Sequence, residues 1–225
     1  MKILESFAQD AIAKRQPATA SIADALRDAI LKGVLKGGEP LRQDAIAKQF
    51  AVSQVTVREA LRILEHEGLV ELAARRGAVV YSLSPEDVAE ITDLRATLEA
   101  SLIRAAMSSL TAEDFALAEA TISRLERASE IDDLIALNVV FHQCLYGKAR
   151  RPRTIAILHR LRTSLEPYLR LLWNKTGYKR QSQDDHRKIL ALCREKKITE
   201  VEKLLRVHIE KTGREIEDLL KTLMQ

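Results

Sequence analysis

The stretch FAVSQVTVREALRILEHEGLVELAARRGAVV, residues 50–80, limits the possible folds more than any other part of the chain. Val57, Leu61 and Leu64 recur at i, i+4 and i+7 and so share one face of a helix. Gln54, Arg58 and Arg62 recur at four-residue steps on a different face. Ser53 stands where a helix needs an N-cap, and Gly68 suits the left-handed residue that closes it. Two short β-leaning runs follow, LVEL and AVVYSL, separated by AARRG, which reads as a two-stranded wing with a basic tip. Ahead of this unit RQDAIAKQF predicts a short helix with Ile46 and Phe50 inward, joined through the turn AVS. Further back, residues 21–36 place Ile22, Leu26, Ala29, Ile30 and Gly33 on one helical stripe, which GGEP ends.

Two short helices around a tight turn, the second polar at its start, suit a DNA groove. Only the first turns of such a helix reach base edges, while the preceding helix meets the backbone. Ser53 and the free amides beside it suit a phosphate, Gln54 suits adenine, and Arg58 suits guanine or phosphate. Arg75 and Arg76 at the wing tip would enter the minor groove or hold backbone. The same arrangement also serves in protein-binding modules, and charge does not separate the two. The net charge of +4 divides equally between residues 1–82 and residues 83–225.

At 225 residues the chain has room for two ordinary domains. Its 46% hydrophobic and 30% charged content, with 4% aromatics, favours helix over sheet. LSPEDV starts the second part: Ser84 caps and Pro85 takes the first helical position. Six helices are predicted beyond it, over residues 84–108, 111–128, 131–147, 153–175, 181–195 and 198–222. The expected fold is mainly α, an N-terminal winged helix-turn-helix plus a C-terminal six-helix antiparallel bundle. The expected divisions are an extension over 1–18, a DNA-binding domain over 19–82 and an effector- and metal-binding domain over 83–225. No apolar run is long enough for a membrane span, and MKILESFAQDAIAKRQP does not read as a signal peptide. Cys144 and Cys193, without paired spacing, read as reduced thiols, so the expected location is the cytoplasm.

Three histidines fall at informative places. Asn138 and His142 stand at i and i+4, one above the other on a helix. His186 and His208 lie equally far on either side of residue 197, inside the break EKKIT. If the flanking helices form an antiparallel hairpin, both imidazoles lie roughly 16 Å from the turn and face each other. Three neutral imidazoles and an oxygen would suit a divalent ion, zinc first. Each histidine alone is equally compatible with a surface or satisfied core position, and His159 is expected to be ordinary.

Residues 20–81 resemble the winged helix of GntR-family transcriptional regulators, VREALRILEHEGLV being close throughout. The resemblance implies DNA contacts at Ser53, Gln54, Thr56 and Arg58, at Arg76 and Gly77 in the wing, and at Arg42 and Gln43 ahead of them. The family usually has Arg at Gln54, Pro at Thr56 and Glu-Arg at Gln43-Asp44, which leaves the operator sequence open. Residues 84–222 resemble the FCD ligand-binding domain attached to many of these regulators, in its six-helix VanR-type form. DLRATLEASLIRAA, NVVFHQCLY, DDHRKILAL and VHIEKT carry that likeness. It implies a metal site at Asn138, His142, His186 and His208, with Asn138 replacing the usual Asp. It also places Arg95 and Glu99 in an Arg-x-x-x-Glu position facing an effector, although a plain helical ion pair explains that spacing too. Arg162, Tyr168 and Trp173 are expected to line the same pocket.

The resulting expectation is a homodimeric regulator, a repressor, on an inverted-repeat operator of double-stranded DNA, answering to a small organic acid beside the metal. No membrane partner is expected, and the chain is not expected to be an enzyme. A direct metal sensor, a metal-dependent hydrolase and a helical interaction module remain as alternatives.

Overall fold

The computed structural model describes residues 18–73, 77–175 and 178–223. Arg75 and Arg76 therefore lie outside the described residues, as does most of the expected N-terminal extension. The chain divides into two compact units that meet between Leu83 and Ser84.

The first unit holds α1 (Ala18–Leu31), β1 (Pro40–Leu41), α2 (Gln43–Phe50), α3 (Gln54–His66), β2 (Val70–Ala73) and β3 (Gly77–Val80). Helix α1 ends five residues before the expected limit. Gly33 takes φ +70, and the amides of Val34 and Leu35 turn back to the Ala29 carbonyl. Gly33 thus closes the helix instead of extending its stripe, as an achiral residue in the left-handed region does. Ile22, Leu26, Ile46, Phe50, Val57, Leu61 and Leu64 form the core as their spacing predicts. Arg27 forks onto Glu67 at 2.6 and 2.7 Å and so ties α1 to the end of α3.

The antiparallel sheet has the order β1-β3-β2, with Val70 opposite Val80 and Leu41 opposite Ala78. The sequence reading expected two strands only. The third, β1, is two residues long, too short to show a period. At Gly77, φ is +112 and a Cβ would sit 2.0 Å from the Leu41 carbonyl oxygen. Glycine there is required by strand packing, whatever else the wing does.

The second unit contains α4 (Pro85–Ala106), a 3-10 turn (Met107–Ser109), α5 (Ala112–Arg127), α6 (Ile131–Tyr146), α7 (Pro152–Lys175), α8 (Tyr178–Arg194) and α9 (Ile198–Leu223). Reciprocal capping boxes start α4 at Ser84 and Asp87 and α5 at Thr111 and Asp114. Helix α4 packs along α9, where a Cβ on Gly213 would sit 2.3 Å from Thr92 Oγ1. That close approach brings the middle of α9 beside Arg95 and Glu99 of α4. Cys144 and Cys193 are free thiols, and among the described residues no helix is long and apolar enough to cross a membrane.

Candidate metal and anion site and the exposed helix start

Three helices converge on one buried polar cluster. Helix α6 carries Asn138, His142 and Tyr146 at four-residue steps, while α8 supplies His186 and α9 supplies His208. Ligand atoms of the three histidines lie within 4.8 Å of one another, and all three side chains are buried. The His186 and His208 rings are 4.9 Å apart between centroids, as their symmetric spacing about residue 197 predicts. His142 stands 5.3 Å from His186 and 5.7 Å from His208.

Each imidazole has an oxygen beside Nδ1. Glu99 Oε2 lies 3.4 Å from His142, Gln183 Oε1 3.3 Å from His186, and Asp185 Oδ2 3.5 Å from His208. The Glu99 contact is long and lacks full hydrogen-bond alignment, leaving His142 Nδ1 without a formal bond. Oxygens at Nδ1 favour the Nδ1–H tautomer and leave each Nε2 as a donor for a metal. His186 Nε2 is buried and has no hydrogen-bond partner among the described residues.

The electrostatics keep the His142 and His186 rings neutral. Burial, and then the Arg162 guanidinium, push His142 down to about 3. Burial, followed by the neighbouring His208 and His142, holds His186 well below the ordinary histidine range. Burial alone would raise the Glu99 carboxyl, but Arg162, Arg95 and His142 outweigh it and hold the group well below the usual carboxylate range. Three buried imidazoles converging, with His142 and His186 held unprotonated, have the donor chemistry of a divalent-ion site. Their spread is slightly wider than the ~3.4 Å edge expected for tetrahedral zinc with Zn–N near 2.0–2.1 Å. Asn138, one turn before His142, lines the neighbouring cavity.

That cavity, about 190 Å³, is bounded by Arg95, Asn138, Tyr146, His159, Arg162 and Thr163 among others. Arg95 donates to Glu99 Oε1 through Nε at 3.2 Å and a terminal nitrogen at 3.0 Å. Arg162 approaches the same oxygen at 3.5 Å, and its buried NH2 has no partner among the described residues. Both arginines line the cavity, while Glu99, expected to face the effector with Arg95, is not among the lining residues. Tyr168 and Trp173 are not among the lining residues, whereas His159, expected to be ordinary, is one of them. Tyr146, whose hydroxyl donates to Glu99 Oε2 at 3.3 Å, was missed as well.

In the first unit the start of α3 faces outward. Ser53 caps it by accepting from the Thr56 amide at 3.1 Å. Gln54 and Arg58 are exposed on one face, Thr56 is half-buried, and Arg42 and Gln43 stand at the start of α2, exposed and half-buried. Val55, which no sequence argument singled out, is 59% exposed on the same first turn.

Comparison with known proteins agrees with this geometry. The model of "Bacterial regulatory proteins, gntR family" matches residues 18–80, and that of the "FCD domain" matches residues 90–211. The HTH-type transcriptional regulator YdhC of Bacillus subtilis (strain 168) is 33% identical over 124 residues, 53% of this chain and 55% of that protein. The match thus spans about half of that relative. The gluconate operon transcriptional repressor of Bacillus licheniformis is 26% identical over 170 residues, covering 74% of this chain and 69% of that protein. A GntR family member from Pseudomonas syringae pv. tomato str. DC3000 has a TM-score of 0.59 at 32% identity, over 99% of this chain and 96% of that one. Escherichia coli McbR/YncC shares the fold at a TM-score of 0.73 and 21% identity, over 93% and 100% of the two chains. This chain belongs to the gntR family of bacterial regulatory proteins, transcriptional regulators, and its second unit is an FCD domain.

Proposed function

We propose that the protein is a cytoplasmic, homodimeric repressor whose six-helix unit binds a divalent ion and a small organic acid. The observation that carries the acid is Arg162, which lines the cavity and whose buried NH2 has no hydrogen-bond partner among the described residues. A buried guanidinium edge that no described residue answers favours a carboxylate, because an unsatisfied buried donor costs about 1–3 kcal/mol. Arg162 is a better anchor than Arg95, whose Nε and NH2 are already committed to Glu99.

His142, His186 and His208 are the residues that would hold the ion, zinc first, with the Asn138 amide oxygen as the fourth candidate. The bound ion would supply a Lewis-acidic positive charge to which an acid could also bind. The protein's own residues keep His142 and His186 unprotonated, orient the three rings through Glu99, Gln183 and Asp185, and exclude water by burial.

On the DNA side, Gln54, Thr56 and Arg58 would read bases and phosphates from the first turns of α3, with Ser53, Arg42, Gln43 and Gly77 holding backbone. Arg75 and Arg76 are proposed for the wing tip from sequence alone. A two-fold dimer suits an inverted-repeat operator. The acid would act by binding one dimer geometry better than the other. Gluconate is the first acid to try, because a relative is named for the gluconate operon.

Native mass spectrometry of the purified chain tests the site. The expected result is about one ion per chain with a co-retained carboxylate, the latter lost in Arg162→Ala. A chain that takes up neither zinc nor any carboxylate would contradict the proposal. Metal sensing without an acid is the second reading, favoured if Zn²⁺ alone changes operator affinity.

A further inference from the structure

We infer that Glu99 couples the two ligands of the six-helix unit: its carboxylate strengthens metal binding at the histidines while withholding Arg95 from an incoming acid. The inference rests on the metal-and-acid reading above and adds a residue that touches neither ligand. Glu99 is fully buried and is not one of the three clustered histidines. Its two oxygens divide the work. Oε2 faces His142 Nδ1 at 3.4 Å and accepts from the Tyr146 hydroxyl at 3.3 Å. Oε1 accepts from Arg95 at 3.0 and 3.2 Å and faces Arg162 Nε at 3.5 Å. One carboxylate therefore links the His142 ring to the two arginines that line the cavity.

Two consequences follow from charge. A carboxylate beside Nδ1–H makes the opposite ring nitrogen a stronger donor and fixes the ring. Two guanidiniums against a single carboxylate leave a surplus positive charge, which repels a dication and attracts an anion. Glu99 tempers that surplus in both directions. Removing its charge while keeping its shape should weaken metal binding and strengthen acid binding. A residue that merely held the pocket together would weaken both.

The test uses full-length Glu99→Gln and Glu99→Asp. Zn²⁺ alone is titrated against a chromophoric chelator, and acetate alone is titrated onto metal-free protein by calorimetry. Glu99→Gln is expected to lose Zn²⁺ affinity by about tenfold or more and to bind acetate more tightly than the wild type. Glu99→Asp keeps the charge and should bind Zn²⁺ closer to the wild type. Glu202→Gln, a surface carboxylate paired with Arg104, should change neither. Unchanged Zn²⁺ affinity in Glu99→Gln, loss of both ligands together, or equal loss in both Glu99 variants overturns the coupling. A wild type that itself binds no Zn²⁺ overturns the metal reading, and the coupling with it.

Discussion

The two units keep their polar side chains in opposite media. At the start of α3, Gln54 and Arg58 stand in water, while Ser53 and Thr56 are engaged with each other at the helix end. In the six-helix unit Glu99, His142, His186 and His208 are out of water, each with a polar neighbour within 3.5 Å, yet His142 Nδ1 and His186 Nε2 lack a hydrogen bond among the described residues. An exposed set waits for an outside partner and contributes little to folding. A buried set must satisfy itself, so any ligand it takes joins a network already bearing on stability. Substitutions in the first unit should therefore separate binding from stability, and those in the second should not.

The sharpest break of that contrast is Glu99→Ala. It strands two guanidiniums, Arg95 and Arg162, in the interior, and should cost about 3–5 kcal/mol of unfolding free energy. Urea melts check this, and a loss below about 1 kcal/mol would make the cluster surface-like.

Acid is the next largest perturbation. Burial and the Arg162 charge take His142 from an ordinary 6.5 to about 3, and burial lowers His186 as well. The unfolded chain then binds protons that the folded chain refuses. Stability of the metal-free protein should be full above about pH 6.5 and fall as pH drops towards 3. The loss is about 2 kcal/mol for each such histidine at pH 5. Zn²⁺ should offset part of it, and melts across pH with and without Zn²⁺ report both effects.

Arg58→Ala should weaken operator binding by about 1–3 kcal/mol. Its unfolding midpoint should not move, since surface changes stay within about 0.5 kcal/mol. Anisotropy and melts on one preparation compare the two. Ser53→Ala, which removes the α3 cap, should be the mildest at about 1 kcal/mol of stability.

The same contrast governs what the sequence could reveal. The first unit was readable because its function lies on consecutive residues: the cap at Ser53, the core face through Leu64 and the polar face through Arg58 all occupy one helix. His186 and His208 were readable from their equal distance to a turn. The remaining pocket residues come from several helices, and no linear spacing relates one helix's set to another's. Tyr168 shows the hazard of counting residues: six positions beyond Arg162 is about 240° around the helix, away from the cavity. Trp173, eleven beyond, returns to that face but lies roughly 16 Å along. His159 and Glu166, three before and four after Arg162, share its face and line the cavity. That pattern was present in the sequence and went unused. Strand β1 was too short to leave any pattern, and Gly33 read as a helical position because a stripe cannot show a positive φ.

The most direct test of the whole account is the affinity of the Zn²⁺-loaded protein for DNA from upstream of its own gene, measured at low ionic strength with and without gluconate and other small carboxylates. The account predicts tight binding that at least one acid shifts by about fivefold or more. An affinity that no acid changes, or a protein that ignores the fragment altogether, would contradict it.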